Sequence, residues 1–342
     1  MRSISYIYKL AVVLLLATGV YSCKKAENDI NNNQIIVKPY SLFVVDSFGK
    51  MDRSNDGKNW IHVASNGGNA GRAIATSGNN IIWVMGDQFA AVCEDLAHFN
   101  GIKHFGPNPD PALNQSAILS VREHGRIYMS ANSGYGIIYS DTNGKRGTWY
   151  ADNAFPTGTT GVNFTSLALL ENGHLAAYDY KAKRLFIKDG RDEFWREVIM
   201  NDLPTGGKFF IASFKNKLVL ADSTGANGVW YSDNEGQNWA QYNGIPGDAY
   251  INCMRSAFGQ VLLVGTAQYG VFRVTNGNTF TSVNSGLETN ANVRNLTAKD
   301  DIYKNEQIVQ YIYAATDKGI FRSVDLGENW INVRPGNFVL IY

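Results

Sequence analysis

The chain has 342 residues, with 31 Lys and Arg against 30 Asp and Glu, a formal net charge of +1. That balance excludes the electrostatic footprint expected of a nucleic-acid or anionic-membrane binder. Eighteen Tyr and seven Trp beside 34 Gly and only eight Pro fit many short aromatic strands joined by tight turns, and no long helical period runs through the chain.

Arg2 and Lys9 precede the short apolar run from Leu10 to Val20, and Tyr21-Ser22-Cys23 follows. A basic start before so short an apolar run predicts a secretory signal rather than a membrane span. Ser22 before Cys23, with Val20 at the third place upstream, resembles a bacterial lipoprotein signal, from which Tyr21 departs. The resemblance implies a signal peptide over 1–22 and lipidation of Cys23, which would anchor the protein without spanning; an ordinary cleaved signal is the alternative. Residues 23–37, with Asn31, Asn32 and Asn33 in their middle, predict a flexible tether. Glu27 and Asp29 are compatible with surface export of the Bacteroidetes type. Residues 38–342 suffice for one large all-β domain.

Repeats are sought first in such a chain. Ser323-Val-Asp-Leu-Gly-Glu-Asn-Trp330 joins two strand-like runs. Ser and Asp side chains bond nearby backbone N–H groups, Gly takes a positive φ, and the Trp folds under the corner. Ser232 to Trp239 repeats the pattern with Asn234 in the Asp place. Arg53 to Trp60 repeats it with Arg53 and Asn55 in the Ser and Asp places, and Ser140 to Trp149 is a copy stretched by two residues. Lys188 to Trp195 and Arg273 to Phe280 are degenerate copies. Trp60 to Trp149 spans 89 residues, Trp149 to Trp195 46, Trp195 to Trp239 44, Trp239 to Phe280 41 and Phe280 to Trp330 50. One hidden unit with a corner near Phe105 brings the count to seven. Four strands per unit is the propeller pattern.

Second strands are predicted at 42–46, 81–87, 126–130, 174–179, 217–222, 261–265 and 311–316. Unit one lacks a first strand, and the run from Asn337 to Tyr342 is expected to supply it and remove an open edge; Gln34 to Val37 is the alternative. The fold expected is an all-β, seven-bladed propeller of four-stranded antiparallel blades, closed in blade one by the C-terminal strand. A six-bladed ring follows if the second unit is an insertion. Cys93 and Cys253 fall in blades two and six, at different radii, and are expected to be unpaired and buried.

The corner pattern resembles the Asp-box, or BNR repeat, of the sialidase-like β-propellers. In that family the box is a structural corner away from the ligand face, so the resemblance implies fold rather than activity. It also implies that the loops from strand two to three and between blades form the binding face. Acids recur at one repeat position there: Asp46, Asp87, Asp179, Asp222 and Asp317, with Asn132 and Thr266 at or near it elsewhere. A carboxylate ring could bind a cation or sugar hydroxyls; equally, Asp after a strand caps a turn through the backbone. Phe48, Phe89, Tyr135, Tyr180 and Tyr269 share these loops and suit stacking on sugars or peptides, or packing on a neighbouring blade. Inter-blade loops add Arg72, Asp110, Asn114, Asn163, Lys208, Asp248, Tyr250 and Arg294, and the stiff run Pro107 to Pro111 is a candidate partner contact.

A sialidase of that family would need an arginine cluster, a Tyr–Glu nucleophile pair and an acid Asp, with its first Arg in an Arg-Ile-Pro segment; no such segment occurs. The Asp-box xyloglucanases are about double this size, with two propellers. Asp52 to Gly57 imitates the start of an EF-hand loop, but Val63 stands at the twelfth place and cannot ligate calcium. His98 and His104 are a lone pair and a weak metal signal. There is no Ser-His-Asp elbow, phosphate loop or dinucleotide fingerprint. No cofactor or metal is expected, and no catalytic residue is assigned. The expectation is a monomeric, lipid-anchored outer-membrane or cell-surface propeller, facing the periplasm or the exterior. It would bind a glycan or protein ligand, without nucleic acid, through Asp46, Arg72, Asp87, Tyr135, Asp179, Tyr180, Asp222, Tyr269, Arg294 and Asp317. The alternative is a glycoside hydrolase of the sialidase-like superfamily with an altered site.

Overall fold

A computed structural model describes residues 36–38, 41–68, 70–71, 73–77, 80–85, 89–93, 99–101, 118–121, 126–131, 136–157, 159, 164–204, 206–303 and 308–342. Cys23 and the hidden corner near Phe105 lie outside them. The chain divides into two units, 1–40 with 300–309, and 41–299 with 310–342. In the first, Ile36–Lys38 pairs antiparallel with residues 302–303.

The second unit is a seven-bladed β-propeller of small antiparallel sheets. Blade 1 orders its strands Phe338–Ile341, Leu42–Asp46, Lys50–Ser54 and Ile61–Ser65. Blades 2 to 6 each take four consecutive strands, starting at Ala73, Ile118, Phe164, Phe209 and Ile251. Blade 7 runs Val293–Tyr303, Ile308–Thr316, Gly319–Ser323 and Ile331–Pro335. The second unit of the repeat is therefore a true blade, Ala73–Ser77 through Phe99–Gly101, and the ring has seven members rather than six.

Middle strands read as unbroken apolar runs because both of their faces are covered by neighbouring sheets. Val261–Thr266 is buried at every position. Outer strands such as Ile331–Pro335 are exposed or half-exposed throughout.

Each tight corner follows from the side chains at its start. Ser323 Oγ donates to Asp325 Oδ1 at 2.7 Å and accepts the Gly327 N–H at 2.9 Å. Asp325 in turn accepts the Asn329 amide at 2.9 Å and its side chain at 2.8 Å. Ser232, Asn234 and Gly236 reproduce the scheme, with Gly236 N donating to Ser232 Oγ at 2.7 Å. In blade 1 the bonding begins one residue later than the sequence alignment places it. Ser54 and Asp56, not Arg53 and Asn55, make the bonds, with Gly57 N donating to Ser54 Oγ at 2.9 Å. The corner starts at the last residue of the third strand, Ser54, so the loop to Trp60 is one residue shorter. In blade 6 the third strand ends at Val274, one residue past Arg273, and a valine there makes no side-chain corner bond.

The corner aromatics join blades. Trp149 packs with Ile82 and Val92 of blade 2, Trp195 with Tyr128 and Ile137 of blade 3, and Trp239 with Tyr178 and Ile187 of blade 4. Phe280 packs with Val219 and Tyr242 of blade 5, and Trp330 with Leu263 and Val271 of blade 6. Trp60 is half-buried, and the Arg334 guanidinium of blade 7 stacks 4.7 Å from its ring.

Blade 1 is completed by residues about 300 positions away in sequence. Val44 pairs with Ile341, Val45 with Leu340 and Asp46 with Phe338, and Phe43 and Tyr342 exchange two backbone bonds of 2.9 Å. The expected closure is thus correct, and the alternative at Gln34 to Val37 is not. Phe338, Leu340 and Ile341 are buried, worth about 1.5–3 kcal/mol each. Removing residues 337–342 is expected to cost more than half of an ordinary domain's stability of about 5–15 kcal/mol. Calorimetry checks this: an unchanged melting temperature would refute the closure.

The corner carboxylates carry an acid sensitivity. Burial works to raise the Asp56 pKa, but bonds from the Asn59 and Lys58 amides prevail and hold it at about 2; Asp325 is likewise held low. A folded-state pKa below the unfolded value of about 3.9 gives stability that is full above pH 4 and lost as pH falls toward 2. Asp325→Asn, the residue blade 5 already uses at Asn234, is expected to leave the neutral-pH melting temperature nearly unchanged. It should shrink the loss between pH 4 and 2, as read by thermal melts across that range.

Candidate functional site

Antiparallel order within each blade puts the strand three-to-four corners at one end of the ring. Turns from strand two to three, and the inter-blade loops, lie at the other. This second face holds the recurring acids. Asp46 Oδ1 accepts the Phe48 and Lys50 amides, both at 2.9 Å. Asp179 is buried and accepts the Lys181 and Ala182 amides at 3.0 and 3.2 Å; its Oδ2 has no partner. Asp222 is fully buried and accepts the amides of Lys208, Thr224 and Asn227, the Thr224 hydroxyl and the Asn227 side chain. Burial alone would raise its pKa, but these donors hold it below the usual carboxylate value. Asp317 Oδ1 accepts the Asn292 amide at 2.8 Å, and Lys318 lies 3.6 Å from its other oxygen. Thr266 and Thr316 do the same job with a hydroxyl, each bonding the turn that follows. The repeated position is thus a turn cap, filled in blade 7 by Thr316 rather than Asp317, which lies one residue further on and bonds back to the inter-blade loop. Asp87, Tyr135 and Arg72 lie outside the described residues, as do Asn132, Asp110, Asn114, Asn163, His98 and His104.

The aromatics divide. Tyr180 packs against the apolar core between blades 4 and 5. Phe48, Tyr250 and Tyr269 are exposed. The Tyr269 hydroxyl donates to Asp248 Oδ2 at 2.7 Å, which raises the phenol's pKa.

The innermost strands of blades 1, 2, 4, 5, 6 and 7 surround a cavity of about 680 Å³. Its polar lining includes Ser166, Asn252, Arg255, Asn292, Arg294, Asn295, Thr297 and Tyr342, with no Asp or Glu among the described lining residues. Near the mouth a chain of bonds rigidifies the rim. Asn252 donates to Asn292 Oδ1 at 2.8 Å, and the Asn292 amide donates to Asp317. Arg294 donates to Asn337 Oδ1 at 2.5 Å and the Phe338 carbonyl at 3.1 Å, pinning the closing strand. Of the predicted ligand residues that are described, Arg294 is the one placed on the cavity wall. Arg255, Asn252, Asn295 and Thr297 were not found from sequence. They sit within strand-like runs, and the one motif among them, Asn295-Leu-Thr297, matches a glycosylation acceptor and says nothing of a cavity.

Cys93 lies on the third strand of blade 2, and Cys253, a free thiol, on the first of blade 6. Cys93 is buried and Cys253 half-buried; burial pushes the Cys253 thiol up to about 12. On the corner face, His174 Nδ1 lies 2.6 Å from Glu235 and 3.5 Å from Asp189. Arg196 bonds both carboxylates. Its guanidinium already supplies the cation, so this cluster reads as an ion-pair bridge between blades 4 and 5.

Together these features define a seven-bladed propeller with an open, polar axial cavity and a rim of capped turns. No protein-family model and no curated protein matches the sequence. Solved structures do match in fold. YCF48 bound to D1 peptide gives a TM-score of 0.57 at 12% identity, over 84% of this chain and 89% of that one. The GH74 enzyme of Niastella koreensis gives 0.57 at 16% identity, over 83% of this chain but only 42% of that one. A catalytically inactive virginiamycin B lyase from Staphylococcus aureus, with quinupristin, gives 0.59 at 10% identity, over 80% and 92%. At such identities the likeness is one of fold, shared by binding proteins and enzymes alike.

The capping geometry sets a graded expectation. Asp222→Ala strands several buried donors and should cost on the order of 3 kcal/mol or more, whereas Asp46→Ala on the exposed rim should cost about 1 kcal/mol. Denaturant midpoints of the two variants measure the contrast; equal small losses would show that Asp222 is not a structural cap.

Proposed function

We propose that the protein is a recognition propeller of the Asp-box kind that binds a glycan or a protein partner at its axial face without catalysing a reaction. Modification of Cys23 would tether it to the outer membrane, and it would work as a monomer. The observation that carries this reading is the use of the recurring carboxylates. Asp46, Asp179 and Asp222 are committed to turn amides, while the axial cavity is walled by amide, hydroxyl and guanidinium groups. Glycoside hydrolysis needs two facing carboxylates about 5–10 Å apart, and the described cavity wall contributes none. Exposed Tyr250 and Tyr269 beside Asp248 at the rim suit stacking and bonding to a sugar or peptide. The corner bonding at Ser54, Ser232 and Ser323 supports kinship with Asp-box propellers. The fold likeness to a GH74 enzyme makes hydrolysis the alternative.

A glycan array and a peptide array, run beside a turnover assay on xyloglucan and chromogenic glycosides, test the reading. Saturable binding without turnover is expected, weakened about tenfold by the double variant Tyr250→Ala, Tyr269→Ala. Robust turnover abolished by Asp317→Asn would replace recognition with catalysis. Cys23→Ala is expected to move the protein from the membrane fraction to the soluble fraction and to abolish its labelling by radioactive palmitate.

A further inference from the structure

Two stretches of backbone at the rim of the axial face are zipped together around one exposed carboxylate. From Asp248 to Asn252 burial alternates: Ala249 and Ile251 are buried, while Asp248, Tyr250 and Asn252 are exposed. That period of two sends the three polar side chains out on one side, successive ones about 6.5 Å apart along the backbone. The Ile251 amide fixes the run to the Ser223 carbonyl of blade 5 at 3.1 Å, and the Ala267 amide of the neighbouring turn donates to the Tyr250 carbonyl at 2.9 Å. Tyr269, on that turn, is held at both ends. Its amide donates to Thr266 Oγ1 at 3.0 Å, and its carbonyl accepts the Asn284 side chain at 2.8 Å. Its hydroxyl donates to Asp248 Oδ2 at 2.7 Å. The phenol ring is therefore fixed in place while remaining 37% exposed. Holding an exposed ring still costs side-chain entropy that its own burial does not return.

Asp248 is the charge in this group. Elsewhere acids at the surface meet a cation of the protein, as Asp189 meets Arg196, Asp233 meets Lys217 and Glu328 meets Arg273. Among the described residues Asp248 forms no ion pair, and the donor it does have is a neutral phenol. A phenol that donates to a carboxylate gains electron density on its ring, which strengthens the attraction of the ring face for a cation. We propose that Asp248, Tyr250 and Tyr269 form a subsite for an organic cation, the ammonium or guanidinium of a lysine or arginine side chain on a protein partner. The inference rests on the reading that the axial face binds a ligand, and it names the chemistry of its Tyr250–Tyr269 rim. The cationic head would sit against the carboxylate and the face of Tyr269, with Tyr250 covering the apolar stem. A neutral sugar would use the rings but leave the carboxylate without a counter-charge. With a net charge of only +1 on the chain, the attraction of a cation to this place is a local property.

Calorimetric titration of the whole protein with hexalysine, hexaserine, tetramethylammonium and cellohexaose tests this. The variants are Asp248→Asn, Tyr250→Ala and Tyr269→Ala, with Asp202→Asn, on another exposed inter-blade loop, as the control for general charge. Hexalysine is expected to bind, and hexaserine about tenfold more weakly. Asp248→Asn still accepts the Tyr269 hydroxyl, so the ring stays held and the charge alone is removed. It should lose about fivefold in hexalysine affinity and most of its dependence on salt. Each tyrosine variant should lose about threefold, and Asp202→Asn should lose nothing measurable. Nearly unchanged melting temperatures, expected at exposed positions, separate a lost contact from a lost fold. Hexalysine binding indifferent to Asp248→Asn, or weakened equally by Asp202→Asn, would overturn the proposal. A response to tetramethylammonium with none to hexalysine would overturn the assignment to a protein side chain. A response confined to cellohexaose would overturn the cation itself. Array binding that weakens with the tyrosine variants yet ignores Asp248→Asn would sink this inference alone; no binding to either array would sink the underlying reading.

Discussion

Everything in this ring depends on how one hairpin apex is held against the preceding blade. A four-stranded sheet of this size cannot cover both of its own faces, so each must be sealed by its neighbours. The seal is made where the chain turns most sharply. At the blade 5 apex the Ser232 hydroxyl takes the Gly236 amide, leaving Gly236 at φ +90° with its Cα pressed onto Leu185 of blade 4. A Cβ there would come within 2.1 Å of the Leu185 side chain, so glycine is required by conformation and by contact together. Backbone stitches reinforce the joint. Trp195, Phe280 and Trp330 each donate their amide to a carbonyl of the blade before, Ala154, Asn243 and Ser285. Gly286, following Ser285, would place a Cβ 1.9 Å from the Trp330 carbonyl.

The joints vary in chemistry while keeping their geometry. In blade 4, Lys188 stands where other blades carry Ser, and its ammonium donates at 2.8 Å to Asp152 of blade 3, which also accepts the Trp195 indole N–H at 3.0 Å. Lys188 and Asp152 are both buried. Such a pair adds little net stability over apolar packing but is costly to break on one side, which fixes how the two blades register. Between blades 7 and 1, Arg334 bonds Asp52 and lies over both Trp60 and Phe338. Cation–π stacking stabilises such desolvated contacts by about 2 kcal/mol. The seam that closes the ring is thus partly ionic, where the joints between blades 2 and 7 are led by buried indole or phenyl rings.

Legibility followed the range of the interactions. The corner pattern was readable because its bonds span only a few residues, and spacing of the aromatics then gave the blade count. The starting residue in blade 1 was misplaced by one. Counting back from Trp60 assumes a constant loop, whereas the bonding starts from the end of the third strand at Ser54. The acids were visible as a repeat, but only their donors decide what they do. Asp222 looks the same in sequence whether it faces a ligand or, as here, a nest of amides. Arg255, Thr297 and Asn295 were silent for a different reason. They belong to inner strands far apart in sequence, and become neighbours only once the sheets stand around an axis.

The pairing of Leu42–Asp46 with Phe338–Ile341 also dictates an order of assembly. Six blades are built largely from contiguous stretches, whereas Val44 and Ile341 must find one another across 297 positions. Bringing the ends of so long a loop together costs roughly 5 kcal/mol of chain entropy if nothing else is ordered. Once the intervening sheets have stacked, that separation is already spanned, and the cost has been met by local steps. Blade 1 is therefore the latch that forms last, and the axial cavity, walled in part by Val339 to Tyr342, comes into being only when it does.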